Sequence, residues 1–455
     1  MKIILTILNE SNNEFFKLFK DKKQINDFLE LNSFLFNKNN LIFVPKDFLN
    51  NSENILLVCS DNCETQSDWI HLGALVGNEL KQKDYDVLID DLTQNADIDS
   101  LIFGLMLSKY SFDNFKSYKK EQNKITFADK TDLQEIKNKV DAIFWTRDMV
   151  NYPALVKSPT FFKDSVERLT ESSSIEVTTY DEAWLKENNF GGIVGVGKGS
   201  ERKPIFMIGE YNKDAKIQIS IIGKGVLFDS GGLSLKSPSG METMKSDMAG
   251  AATAWGVIKL VADQKLDIGV KVYTPIVENM PSGKAIRPGD VLTLRNSKTI
   301  EVLNTDAEGR LIMADALAYA SEAKPTVICD IATLTGSAYV ALGMEIGAFF
   351  TNNVSISEKF FQSNNDSHEK FHELPLFQGY KKMINSDIAD MQNTGGRFGG
   401  SITAALLLEE FVDNLDWFHL DIAGPGRSRE NSLIYPKGGT AFGLISLFNF
   451  IKNFN

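Results

Sequence analysis

Short apolar runs recur through the first 120 or so residues, KIILTIL, NLIFVP, NILLVCS and YDVLIDD, and between them lie helix-compatible stretches such as SDWIHLGALVGNELKQ. Runs of that length separated by helical segments predict strands alternating with helices, a small α/β domain. The segment from about Ser117 to Asp132 is rich in Lys, Gln, Asn and Asp, which predicts a domain boundary. A helical stretch, LQEIKNKVDAIFWTRDMV, follows it. From about residue 150 β-rich runs (KIQISIIGKGVLF, DIGVKVYTPIV, PTVICDIATL, WFHLDIAG) alternate with helical ones (GAATAWGVIKLVADQ, LIMADALAYASEA, SITAALLLEEFVDNL). This pattern predicts a larger sheet with helices on both faces. The expected class is α/β in two domains: a small α/β domain over residues 1–125, a linker helix over 126–150, and a larger domain over 151–455 built on a central mixed sheet.

Composition narrows the function classes. With 455 residues, 43% hydrophobic and 24% charged, the chain has an ordinary globular makeup and can bury a large core. The N-terminal apolar run ends by Leu8, too short for a signal-peptide core, and no stretch approaches the roughly 18 apolar residues of a membrane span. A cytoplasmic protein without a membrane partner is expected. Cys59, Cys63 and Cys329 are an odd set in a long chain, so they read as core or surface thiols rather than a disulfide scaffold. The net charge of −12 argues against a general nucleic-acid binder, which needs a basic face. The basic stretch YKKEQNK near residue 120 reads as a solvated loop.

Several segments carry candidate chemistry. GIVGVGKG, residues 192–199, places Gly192, Gly197 and Lys198 almost as in a phosphate-binding loop, but Gly199 stands where that motif needs Ser or Thr. A flexible turn is the expectation there. In GKGVLFDSGGLSLK, residues 223–236, an apolar strand delivers Lys224 at its end, Asp229 follows in a Gly-flanked turn, and Lys236 lies further along. Sheet enzymes place ligands at the carboxyl ends of their strands. METMKSDMAGAATAW brings Asp247 just ahead of a small-residue helix.

NTDAEGRL, residues 304–311, packs Asp306, Glu308 and Arg310 into five positions before an apolar helix. One reading is an acidic helix start with Asn304 or Thr305 as N-cap. The other is a metal or catalytic site, because residues two apart in an extended segment face one side. Asp229, Asp247, Asp306 and Glu308 share turn or helix-start settings, and four clustered carboxylates would repel one another unless divalent cations were bound. The histidines are only His71, His368, His372 and His419, with no HExxH. A carboxylate-rich centre of this kind suits zinc, manganese or magnesium, and a pair of ions about 3.5 to 4 Å apart could share a hydroxide.

GKGVLFDSGG, SLK, MKSDMAGAA, ENMPSGKAIRPGD and above all NTDAEGRL resemble the leucyl aminopeptidase (cytosol aminopeptidase) family of two-metal exopeptidases. The likeness runs from RDMVNYPALVKSP at residue 147 through TLTGS, NTGGRFGGSITAALLLEEF and HLDIAGP to KGGTAFG, while the N-terminal third matches only in length and texture. It makes 151–455 the catalytic domain and implies that Asp229 and Glu308 touch both metals. Lys224 and Asp247 would complete the tighter site and Asp306 the more exchangeable one. An ammonium has no lone pair, so Lys224 as a ligand requires its pKa to fall. The competing reading is a charged lysine paired to an acid.

The resemblance further implies a metal-bridging hydroxide as nucleophile, with Lys236 as a cation for the developing oxyanion. Arg310 would hold a bicarbonate as general base, with the backbone of Leu334 completing that anion site. Met244, Thr333, Gly336 and Thr440 would line an apolar side-chain pocket favouring leucine or methionine, with breadth, since one methylene discriminates by only about 1 to 3 kcal/mol. The implied protein is a metal-dependent aminopeptidase acting on peptides, assembled as a homohexamer. The alternative is a protein that keeps this fold but works through its surface, binding DNA as some family members do. Its net negative charge and complete ligand set argue against that role.

Overall fold

The computed structural model describes residues 2–8, 17–32, 40–50, 53–61, 63–82, 84–91, 95–119, 123–127 and 133–454. The chain divides into two compact units: residues 1–140 with 366–368 and 432–436, and residues 141–365 with 369–431 and 437–455. The division falls inside the helix Gln134–Asn151.

The first unit is built on β1 (Lys2–Leu8), β2 (Leu41–Val44), β3 (Asn54–Cys59), β4 (Tyr85–Asp91) and β5 (Ile125–Phe127), in the order β2-β3-β1-β4-β5. All neighbours are parallel except the β2 edge. The four apolar runs of the sequence are β1 to β4. Ile125–Phe127 adds a fifth strand inside the polar segment expected to be only a boundary, where pairing to β4 outweighs local polarity. The helix Gln66–Glu79 is the one predicted in SDWIHLGALVGNELKQ; it starts on a capping box in which Thr65 and Asp68 each bond the other's backbone N–H. In the basic stretch Tyr118 and Lys119 are exposed, and residues 120–122 lie outside the described residues.

The second unit carries β6 (Glu176–Tyr180), β7 (Ile205–Tyr211), β8 (Gln218–Gly223), β9 (Gly225–Asp229), β10 (Gly269–Asn279), β11 (Asp290–Thr293), β12 (Thr299–Val302), β13 (Val327–Ala332), β14 (Ile346–Thr351), β15 (Lys370–Glu373), β16 (Met391–Gln392), β17 (Trp417–Asp421), β18 (Arg427–Ser428) and β19 (Gly438–Gly439). Nine of these form one mixed sheet, β15-β14-β17-β13-β8-β10-β7-β6 with β9 beside β10. Its centre, β17-β13-β8-β10, is parallel, and antiparallel strands flank it.

Every residue of β13 and β17 is buried, as expected for parallel strands covered on both faces. On one face Ile222, Tyr273, Ile328 and Ala332 join a core with Leu311, Ile312 and Leu317 of the helix Gly309–Ser321. On the other, the helix Ala249–Asp263 lies so close that a Cβ on Gly223 would meet Ala251, and one on Gly209 would meet Trp255. Small residues in that helix allow the approach. Each fully buried Leu or Ile in these layers contributes about 1.5 to 3 kcal/mol.

GIVGVGKG is not a turn. Gly191–Gly197 is a short helix, and its glycines serve close packing: a Cβ on Gly192 would lie 2.3 Å from the Leu311 carbonyl oxygen. The N–H of Ile193 is taken by the buried Asp315 carboxylate at 2.9 Å, so this helix start is occupied by a side chain of the protein itself.

Candidate active site

At the carboxyl end of the parallel strands the chain is interrupted for one residue. β8 ends at Gly223, Lys224 forms the break, and β9 carries the chain on to Asp229. The break is pinned on both sides, with the Lys224 N–H donating to Ile331 and its carbonyl accepting from Ala251. This directs the Lys224 side chain into the site, past Gly309, where a Cβ would sit 2.5 Å from Cε. A side chain at Gly309 would have to push Lys224 aside.

Lys224 Nζ lies 2.9 Å from Asp247 Oδ2, 3.0 Å from Glu308 Oε1, and 3.0 Å from the Thr333 carbonyl. Burial alone would lower its pKa, but Asp247, Glu308 and Asp229 outweigh burial and raise it. Among the protein groups alone these acids favour the charged, ion-paired form of Lys224; a bound cation beside it would act in the opposite direction, as a role as ligand requires. Lys236 Nζ sits between Asp229 Oδ2 at 2.8 Å and Asp306 Oδ1 at 2.5 Å. Its pKa is likewise raised, the two acids overcoming partial burial.

The acids meet as their spacing suggested. Asp229, Asp306 and Glu308 each offer an oxygen, all within 4.8 Å of one another. Burial and the Glu308 charge push the Asp229 carboxyl up to about 7. Burial, with Glu308 and Asp229 adding to it, raises Asp247 well above the carboxylate range. Glu308 Oε2 is buried with no hydrogen-bond partner among the described residues. Four carboxylates against two ammonium groups leave excess negative charge in a nearly dry site, and a multivalent cation relieves both the repulsion and the orphaned oxygen. The residues fit a divalent metal.

The turn that presents Asp306 and Glu308 differs from the expected cap. Glu308 itself occupies the N-cap position of Gly309–Ser321 and makes no capping bond. Asn304 Oδ1 instead accepts from Asp306 N, and Thr305 Oγ1 donates to the Gly231 carbonyl while accepting from Ser234 N. The two polar residues tie this turn to the Asp229 loop.

Other residues missed in the sequence complete the frame. Asn279, last in β10, donates from Nδ2 to Asp229 Oδ1 at 2.8 Å and to the Thr305 carbonyl at 3.0 Å. Asp421, last in β17, accepts from Leu334 N at 3.1 Å and Thr335 Oγ1 at 2.6 Å. Thr333 Oγ1 orients Asp247 at 2.8 Å. A polar residue ending a buried strand was the available signal for Asn279 and Asp421.

Arg310 is buried, its Nε without a hydrogen-bond partner among the described residues. Burial lowers its pKa to about 10, against the opposing pull of Glu308 and Asp421. The Leu334 N–H is donated to Asp421.

A cavity of about 670 Å³ opens over the site, lined by Lys224, Asp229, Lys236, Asp247, Asp306 and Glu308 and, further out, by Met244, Thr333, Leu334 and Gly336. Thr440 does not line it. That residue is buried behind the wall, donating from Oγ1 to the Pro425 carbonyl at 2.6 Å. A second cavity, about 660 Å³, is lined by Lys298, Lys381 and Glu410, whose charges satisfy one another.

Fold and site together define an α/β protein with a carboxylate-rich cation centre at its sheet end, the setting of a metal-dependent hydrolase. Residues 144–448 match the cytosol aminopeptidase family, catalytic domain, and the chain belongs to that family of metal-dependent aminopeptidases. The probable cytosol aminopeptidase of Syntrophotalea carbinolica is 40% identical over 377 residues, covering 79% of this chain and 76% of the relative. That of Rickettsia massiliae is 42% identical over 369 residues, 77% and 74% of the two chains. Among solved structures, the cytosol aminopeptidase of Coxiella burnetii is 27% identical with a TM-score of 0.88, covering 99% of this chain and 97% of its own. The bottromycin maturation enzyme BotP in complex with Mn is 28% identical with a TM-score of 0.88, covering 99% and 98%. Among the described residues no helix is long and apolar enough to cross a membrane.

Proposed function

We propose that the protein removes N-terminal amino acids, leucine and methionine among them, from peptides, using two divalent cations held by Lys224, Asp229, Asp247, Asp306 and Glu308. The observation that carries this reading is the convergence of Asp229, Asp306 and Glu308 oxygens within 4.8 Å in a cleft that also holds two lysines. Cations bound there, zinc or manganese by the donor set, supply Lewis acidity toward the scissile carbonyl and make water a stronger acid.

The chain's own residues do the rest. Asp247 is aimed by the Thr333 hydroxyl, and Asp229 by Asn279 and the Gly231 N–H, so neither carboxylate must reorganise when substrate arrives. Lys236 points its ammonium into the cleft between Asp229 and Asp306, where it stabilises negative charge developing on the carbonyl oxygen. Arg310, with an unsatisfied Nε in a buried setting, suits a planar anion held bidentately. Arg310 would hold a bicarbonate in that place, which would supply a general base. Leu334 contributes backbone to the wall of that anion site rather than its N–H. The free α-amine of the substrate's first residue would offer a lone pair to a cation held there, which an acylated N-terminus could not do. In this reading residues 151–455 are the catalytic domain of a cytoplasmic homohexamer.

Hydrolysis of leucine p-nitroanilide, measured with added manganese or zinc, after chelation, and in Asp306→Ala, tests the reading. Activity abolished by chelation and by the substitution is expected. Activity indifferent to chelation overturns it.

A further inference from the structure

The outer wall of the cleft carries two arginines, Arg427 and Arg429, that the proposed chemistry does not use. Arg427 is half-buried on β18, and among the described residues its guanidinium makes neither a hydrogen bond nor an ion pair. A half-buried guanidinium with no anion paired to it is an anomaly, its donors left to water or to an anion entering the cleft. Its charged neighbours deepen the anomaly: Arg429 and Lys245 are cations, and the exposed Glu242 is the acid near it. Lys245 is already committed, donating to the Asn151 carbonyl at 2.6 Å.

The backbone of Arg427 is fixed. β18 pairs antiparallel with β19, placing Arg427 opposite Gly439, whose N–H is held by Asn151 Oδ1 at 2.9 Å. The preceding residue, Gly426, accepts from the Thr440 N–H, and a Cβ there would lie 3.3 Å from Thr333 Cγ2. Arg427 lines the same cleft as Thr333 and Met244, the residues proposed to receive the side chain of the substrate's first residue.

We propose that this cleft accepts peptides whose first residue carries a carboxylate, glutamate above all, with Arg427 as the specificity-determining contact. The inference rests on the aminopeptidase reading given above. Met244 and Thr333 take the methylene stem, and the half-buried Arg427 guanidinium, set on a paired strand, takes the carboxylate head. Glutamate and glutamine have the same shape, so charge alone separates them.

The test compares kcat/KM for the p-nitroanilides of glutamate, glutamine and leucine in the metal-loaded wild type, Arg427→Gln and Arg427→Lys. The glutamate-to-glutamine ratio should be roughly ten- to a hundredfold in the wild type, fall to about one in Arg427→Gln, and recover in part in Arg427→Lys. Leucine hydrolysis in each variant reports an intact site. A wild-type ratio near one, or a ratio unchanged by Arg427→Gln, overturns the proposal. So does a loss seen only with dipeptides, which would place the guanidinium on the leaving residue's carboxylate.

Calorimetric binding of free glutamate against glutamine, in the wild type and Arg427→Gln, separates the two readings. Discrimination in binding without any hydrolysis would sink the peptidase reading and leave the wall assignment standing. Hydrolysis of leucine without discrimination in binding would do the reverse.

Discussion

Asn393 grips Asn304 from both sides of its amide side chain: Nδ2 donates to the Asn304 carbonyl at 2.6 Å, and Oδ1 accepts from Asn304 N at 3.2 Å and from Leu303 N at 2.9 Å. Asn393 is fully buried, while Leu303 and Asn304 of the turn reach solvent. Asn393→Ala would strand two donors and an acceptor in the turn that presents Asp306 and Glu308. The expected cost is roughly 2 to 4 kcal/mol in urea denaturation, with weaker metal binding in a titration. A destabilised protein with unchanged metal affinity would detach this bracket from the site.

Lys236→Met keeps the length of the side chain and removes its charge. If the ammonium serves the developing oxyanion, kcat should drop by about a hundred- to a thousandfold. Metal content, measured by atomic absorption, should stay near that of the wild type, because Lys236 neighbours Asp229 and Asp306 without being one of the five proposed ligands. Loss of metal together with activity would assign Lys236 a structural role instead.

Asp315 supplies a pH signature away from the cleft. It is buried, bonded by the N–H groups of Ile193 and Arg295, and burial pushes its carboxyl up to about 7. Because the fold binds this proton more tightly than the unfolded chain, the carboxyl's contribution to stability is complete below about pH 4 and is lost as pH rises to about 7. Asn resembles the protonated form. Denaturation of wild type and Asp315→Asn at several pH values should give a stability difference that changes across this window, by at most about 4 kcal/mol. A difference independent of pH would show that the carboxyl does not titrate there.

Gly192→Ala tests the helix that the sequence disguised as a turn. The new Cβ would press on the Leu311 carbonyl oxygen, a backbone atom that cannot swing aside. A loss of about 1 to 3 kcal/mol or more in thermal or urea denaturation is expected. A neutral outcome would mean that Gly191–Gly197 can shift away from Gly309–Ser321.

What the sequence made legible follows from how each feature is encoded. β8, β10, β13 and β17 were visible because strands buried on both faces need unbroken apolar runs, Lys224 and Asp229 because charge at the end of such a run is costly without purpose, and Asp247 because it stands just ahead of a small-residue helix. Gly191–Gly197 was misread because glycine serves flexibility and close packing alike, and only the position of Leu311 separates the two. Asn304 and Thr305 looked like caps because the local sequence of a cap matches that of a brace to the Asp229 loop. Asn279, Asn393 and Asp421 act on partners far away in the chain, and Thr440 donates to the Pro425 carbonyl. Such relationships exist only once the sheet has closed.

That last point bears on the one-residue break at Lys224. Its N–H is held by β13 and its carbonyl by the helix Ala249–Asp263, while its ammonium reaches the acids of two further segments. A nascent or half-unfolded chain has none of these partners in place. The cation centre therefore exists only where the sheet, the helix and both acidic segments have come together, and an unfolded chain carries its residues without the site.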